Sequence, residues 1–128
     1  LLRVTDGVDS VNFSLVIDCR DPEALARFWQ SLVGGEIDSA TKSSTWVSLK
    51  SLSSLGYLGF QRVPEPKQVK NRVHIDLIVD DLVSSRDSAV ASGAIVVGGI
   101  VEEPIAHFQV MQDPEGNEFC FVRYTNGQ

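Results

Sequence analysis

The stretch Val73-His74-Ile75-Asp76-Leu77-Ile78-Val79-Asp80-Asp81-Leu82 carries an apolar residue at every odd position up to Val79, then an acidic pair ahead of a helical pattern. Alternation at period two marks a strand with one buried face, and an Asp immediately before a helical run is an N-cap. About sixty residues earlier the same order of events occurs: Phe13, Leu15, Ile17 and Cys19 alternate, Arg20-Asp21-Pro22 follows, and a helical pattern stops at Gly34-Gly35. Superposition pairs Ser14 with His74, Asp21 with Asp81, Gly34 with Gly93 and Phe60-Gln61 with Phe119-Cys120, at an offset of 59 to 60 throughout. A repeat of that period is one supersecondary unit used twice.

Within the first unit, Asp21 can accept from first-turn amides, Pro22 suits the first helical position, and Glu23 favours the positive end of the helix dipole. Leu25, Phe28, Trp29 and Leu32 then form an i, i+3, i+4, i+7 stripe, and Gly34 is a stop. A second helix, about 81–92, rests mainly on the repeat, because Leu82, Ala89 and Val90 make a thinner stripe and Ser84, Ser85 and Ser88 lower helix propensity. Strand-type segments follow at 36–38, 45–50 and 57–63, and again at 94–97, 107–112 and 118–124. Each half reads βαβββ. The predicted class is α+β: a single domain over 1–128, with module one at about 11–64 and module two at about 71–124. Pro64-Glu65-Pro66-Lys67-Gln68 is an extended connection between modules, and Asp113-Pro114-Glu115-Gly116-Asn117 is a tight turn closing a late hairpin.

A chain of 128 residues can bury one core, and 43% hydrophobic with 22% charged residues is a globular composition, not a disordered one. The net charge is −6, and Lys67, Lys70 and Arg72 are the one local concentration of cations, so no nucleic-acid partner is expected. No apolar run approaches the roughly 20 residues of a membrane span. The opening Leu1-Leu2-Arg3-Val4-Thr5-Asp6 lacks the apolar core of a leader, so a cytoplasmic protein with no membrane partner is expected. Cys19 and Cys120 make no disulfide framework and no Cys-x-x-Cys pair, which predicts reduced thiols.

Strand parity sorts the side chains. Leu15 and Ile17, Val47 and Leu49, Leu58 and Phe60, Ile75 and Leu77, Phe108 and Val110, and Phe119 and Phe121 form apolar sets predicted to pack under the helices. The complementary parity gives a polar and aromatic face: Ser14 and Asp18; Trp46; Tyr57 and Gln61; Arg72, His74 and Asp76; His107, Gln109 and Met111; Glu118 and Cys120.

The order of elements, the Val73 to Leu82 string and the string Asp113-Pro114-Glu115-Gly116-Asn117-Glu118-Phe119-Cys120 resemble the vicinal oxygen chelate superfamily, and within it the glyoxalase-like and bleomycin-resistance-like proteins. The resemblance covers about residues 11 to 124. It implies paired βαβββ modules forming an open, curved mixed sheet around one ligand site, and a tendency to form homodimers. It also implies a divalent metal, Zn, Ni, Mn or Fe, held by side chains from the first and last strands of each module. Those slots fall on Ser14, Gln61, His74 and Cys120, of which only His74 is a usual ligand. An alternative metal set from the same face is His74 and Glu118, with His107 as a third member.

Without metal, His74 and Asp76, at i and i+2, share a strand face, and a carboxylate there can orient an imidazole for general-base work. Together with Glu118 they form the predicted catalytic set. Trp46 and Tyr57 are placed to stack on a flat ligand, with Ser14, Gln61, Arg72 and Cys120 as further ligand-binding residues. The predicted function is small-molecule binding in a concave polar and aromatic pocket with a degenerate metal site. Two alternatives stay open: a divalent-metal-dependent lyase or dioxygenase, and a non-catalytic protein that sequesters a drug or metabolite.

Overall fold

The computed structural model describes residues 13–125. The start of module one at 11–12 and the leader reading of residues 1–6 lie outside the described residues. The chain runs β1 (Leu15–Cys19), α1 (Pro22–Val33), β2 (Glu36–Ile37), β3 (Trp46–Lys50), β4 (Leu58–Arg62), β5 (Asp76–Ile78), α2 (Leu82–Ala91), β6 (Ile95–Glu102), β7 (Ala106–Gln112) and β8 (Glu118–Tyr124). The strands form two four-stranded mixed sheets, β1-β4-β3-β2 and β5-β8-β7-β6. In each, the first strand pairs in parallel with the last and the other pairs are antiparallel. The fold is therefore α+β, with the two βαβββ units that the repeat predicts. Each unit contributes one four-stranded ladder, with β1 and β5 at an edge of theirs.

Both helices start as the sequence dictates. Asp21 Oδ1 accepts from Ala24 N at 3.1 Å, and Asp81 Oδ1 accepts from Ser84 N at 3.0 Å. Helix α1 ends where Gly34, at φ +76°, donates its N–H to Gln30 O at 2.9 Å, a backbone conformation that favours glycine. It buries Leu25, Ala26, Phe28 and Trp29 over β3 and β4. Phe28 and Trp29 reach on to Phe119 of the second sheet, with ring centroids 6.2 and 5.0 Å apart, so one core spans both units. Helix α2 buries only Leu82 and Ala89, and Val90, expected in its stripe, is exposed.

Three local readings are corrected. Strand β5 is three residues long, so Arg72, Val73 and His74 precede it; the chain before it is instead held at Asn71, whose amide donates to Glu118 Oε1 at 2.8 Å. Strand β6 continues past 97 to Glu102 through a bulge between Val97 and Val101, where Gly98 has φ +70°. Strand β7 has its faces exchanged. Met111 lies opposite Phe119 and Gln109 opposite Phe121, so Gln109 and Met111 are buried while Phe108 and Val110 share the open face with Val122 and Cys120. The five-residue turn 113–117 fixes that register, and a shift of one residue exchanges every side chain between faces.

Candidate functional site

On the first sheet's open face, Trp46 lies opposite Gln61, and Gly59 opposite Ser48 and Val16. The Trp46 indole lies down over Gly59: a Cβ added there would meet its Cη2 at 2.3 Å. Tyr57 meets the indole edge-on with ring centroids 5.9 Å apart, and both rings keep partial exposure. The Ser14 hydroxyl, just ahead of β1, accepts from Tyr57 N at 3.2 Å and so fixes the turn into β4. Glycine at 59 is thus what allows a flat aromatic platform, flanked by the exposed Gln61 and Asp18.

The second sheet's open face reads across the strands in register as Ile78, Val122, Phe108 and Val101, then Asp76, Cys120, Val110 and Val97, then Glu118, Gln112 and Ile95. It is mainly apolar, and Ile78 and Ile95 are 62% and 55% exposed. Burial pushes the Cys120 thiol above its ordinary range, with the Asp76 charge adding to this and Lys70 opposing it. The Cys19 thiol, buried on the helix side and donating to Gln61 O at 3.6 Å, is pushed up to about 12, first by burial and then by nearby carboxylates. Both cysteines are free thiols.

Of the predicted catalytic and metal residues, Asp76 and Glu118 share the open face of the second sheet and His107 does not. His74 and Asp76 are both exposed, His74 lies ahead of the strand, and no hydrogen bond joins them among the described residues. His107 lies opposite Arg123 on the helix side of the sheet, with Nε2 3.8 Å from Glu102 Oε2. It lines a separate cleft of about 460 Å³ beside Asp80, Asp81 and Arg123. Glu118 is already engaged: Oε1 accepts from Asn71 N at 2.8 Å, Oε2 from Lys67 Nζ at 3.0 Å, and its backbone carbonyl from Asn71 Nδ2 at 2.8 Å. Burial works against this carboxylate, but the Asn71 amide and Lys67 ammonium outweigh it and hold the pKa below the ordinary value.

These donors do not fit a divalent metal. Ser14 is committed to a backbone amide, Glu118 to Lys67 and Asn71, and His107 faces the other side of the sheet. Among the described residues no three His, Cys, Asp or Glu side chains group closely enough to hold an ion.

Two features escaped the sequence reading. Residues from 63 to 73 and from β1 line a cleft of about 570 Å³, together with Trp29, Ile75 and Glu118. Asp113, fully buried, is the second: Oδ2 accepts from Trp29 Nε1 at 3.1 Å, and Oδ1 from the backbone amides of Glu115 and Asn117, both at 2.9 Å. Burial pushes its carboxyl up against the pull of the Asn117, Trp29 and Glu115 donors. Glu115 in the same turn accepts from Arg20 N at 2.7 Å and Asp21 N at 2.9 Å, stapling the turn of one unit to the helix start of the other. A buried indole N–H needs a partner, so Trp29 in a core stripe was the available signal.

A family model described as a glyoxalase-like domain matches residues 14–122. The structure is similar to that of a glyoxalase/bleomycin resistance protein/dioxygenase family enzyme from Burkholderia phytofirmans PsJN (TM-score 0.71, 21% identity, covering 86% of this chain and 95% of that one). It is also similar to a glyoxalase/bleomycin resistance protein/dioxygenase from Nocardioides (TM-score 0.70, 13% identity, 93% and 86% covered). A third similar structure is the fosfomycin resistance protein FosX from Mesorhizobium loti (TM-score 0.67, 11% identity, 91% and 92% covered). At these identities the likeness is one of fold. No curated protein matches the sequence.

Proposed function

The chain belongs to the glyoxalase-like domain family, and on that premise we propose that it binds a small, flat, largely apolar molecule on its open sheet faces without a resident metal. The observation that carries this reading is the Trp46 platform, with the indole laid over Gly59 and braced by Tyr57. Such a surface offers stacking to an aromatic ligand, while Gln61, opposite Trp46, supplies a neutral polar contact at its margin. His74 and Asp76 are the proton-active groups of this reading, available at the entrance of β5 to a polar substituent of the ligand. The unpartnered apolar face of the second sheet supports a homodimer in which that face is covered. Free thiols suit a protein working in the reducing cytoplasm.

The test is a screen of aromatic compounds read through Trp46 emission, with Trp46→Phe as the control that leaves Trp29 as the sole indole. The reading expects quenching in the wild type and its loss in the variant. Equal quenching in both would reject the platform as the site. Metal content of the purified protein before and after chelation decides against the lyase or dioxygenase alternative: about one retained ion per chain, lost in His74→Ala, would overturn the metal-free reading.

A further inference from the structure

We propose that the free edge of β1 takes a short extended peptide as an added strand, seated in the cleft that residues 63–73 line. Leu15, Val16, Ile17 and Asp18 border that cleft, of about 570 Å³, without a gap in sequence. Successive side chains of a strand point to opposite faces, so a cavity that touches both parities lies along the strand's edge. The pairing with β4 settles which backbone groups point there. Leu15 N donates to Tyr57 O at 3.2 Å and Cys19 O accepts from Val63 N at 2.8 Å, so the odd residues of β1 are bonded to β4. Backbone groups alternate along a strand as side chains do, and the N–H and C=O of Val16 and Asp18 therefore point away from β4, toward the cleft. Strand β1 is the end strand of its sheet, and neither residue's backbone has a hydrogen-bond partner among the described residues.

The opposite wall leaves this edge unused. Glu118 accepts from Lys67 Nζ at 3.0 Å and from Asn71 N at 2.8 Å, which holds residues 67–71 in place before any ligand arrives. Pro64 and Pro66, earlier in the same segment, have no N–H to give. A wall already ordered costs a ligand little in conformational entropy. The free groups of Val16 and Asp18 lie two residues, about 6.6 Å, apart, the spacing at which a second extended backbone presents its own donors and acceptors. Such an edge binds an incoming chain through main-chain hydrogen bonds, and the face beside it selects alternate side chains. Here that face is apolar: Leu15 and Ile17 of β1, with Trp29 from α1 and Ile75 just ahead of β5. The peptide that fits has an apolar side chain at every second residue. This goes beyond the open-face reading, because neither Trp46 nor Tyr57 lines the cleft.

The probe is acetyl-Thr-Val-Thr-Val-Thr-amide, which has no charge, titrated into the full chain by calorimetry with amide exchange followed by NMR. One peptide per chain is expected, with exchange at Val16 and Asp18 slowed about tenfold or more, while Ile17 and Cys19, already bonded to β4, do not change. Val16→Pro removes a cleft-facing N–H at an exposed edge position and spares the bonds to β4, so the variant should fold and bind the peptide about tenfold more weakly. A third comparison leaves the protein untouched: the peptide is N-methylated either at both valines or at its middle threonine. In an added strand only one of these sets of N–H groups faces β1, so one methylated peptide should bind about tenfold more weakly and the other like the parent. This pair decides the case if Val16→Pro does not fold. The proposal is overturned if the parent peptide does not bind, if Val16 and Asp18 gain no protection or are protected before peptide is added, or if both methylated peptides bind alike. Protection that rises with protein concentration alone would give the edge to a second copy of the chain and overturn it too. Loss of peptide binding in Trp46→Phe would move the ligand to the open face, whereas failure of the aromatic screen alone would leave the proposal standing.

Discussion

The two units share one chain path and are stabilised unequally. Helix α1 buries five residues and reaches across to Phe119, while α2 buries two. The turn after β7 holds a buried Asp113 and staples the other unit's helix start through Glu115. The corresponding stretch of the first unit, Ser51-Leu52-Ser53-Ser54-Leu55-Gly56, has no acidic residue, and Ser53 and Ser54 are exposed. Aligned at the sequence offset of 59, residues 59 and 118 correspond, yet one is a glycine under an indole and the other a carboxylate clasping the connection between units. Duplication preserves the ladder and the caps, which depend on backbone and a few polar atoms. What the faces carry is free to diverge.

Asp113→Ala is where that inequality should be largest. Removing the carboxylate strands the Trp29 N–H and the Asn117 side chain in a buried site, at an expected cost of about 3 kcal/mol or more. Ser53→Ala, sixty residues earlier and exposed, should change stability by less than about 0.5 kcal/mol. Denaturant unfolding of both variants checks this, and similar losses would mean the two turns contribute alike. Trp29→Phe keeps most of the packing and removes the N–H to Asp113, so a loss of about 1–2 kcal/mol is expected. A loss as large as that of Asp113→Ala would show that indole volume, not the hydrogen bond, is what matters.

Both caps, both glycine stops, the element order and the α+β class were legible because each rests on local chemistry: Asp21 and Asp81 accept the amides that their positions predict. The face of β7 was not legible. Phe108 and Val110 look like core and Gln109 like surface, but register is set by the turn at 113–117, and Gln109 is buried because its Nε2 serves the carbonyls of Val97 and Gly98 in the bulge. His107 went to the wrong face with them. The candidate site was legible in part. Trp46 and Tyr57 do come together, but Glu118 looks like a free acid in sequence, and only the path of residues 67–71 reveals its partners.

Gly59→Ala sharpens the comparison on the first unit's side. A methyl group at 59 cannot coexist with the indole where it lies, so Trp46 must lift away. A cost of about 1–2 kcal/mol is expected, with a red shift of Trp46 emission and weaker aromatic binding. Unchanged emission would mean that the platform adapts, and the glycine would then have no bearing on ligand stacking.

At position 118 the effect should be smaller than at 59, and it has a pH signature. The Glu118 carboxyl is held below its ordinary value of 4.5 in the folded chain, so its contribution is fully present above that pH and is lost as pH falls through the lowered folded pKa. Glu118→Gln removes the charge that Lys67 and Asn71 bind, at about 1 kcal/mol near neutrality, and should flatten stability across the acid window below 4.5. The Asn71 amide should exchange faster with solvent in the variant, because its acceptor is weakened, while the amides of β4 around Gly59 should not change. Equal slopes with pH in wild type and variant would show that the clasp is not what orders residues 67–71, and the preformed wall of the cleft would then need another cause.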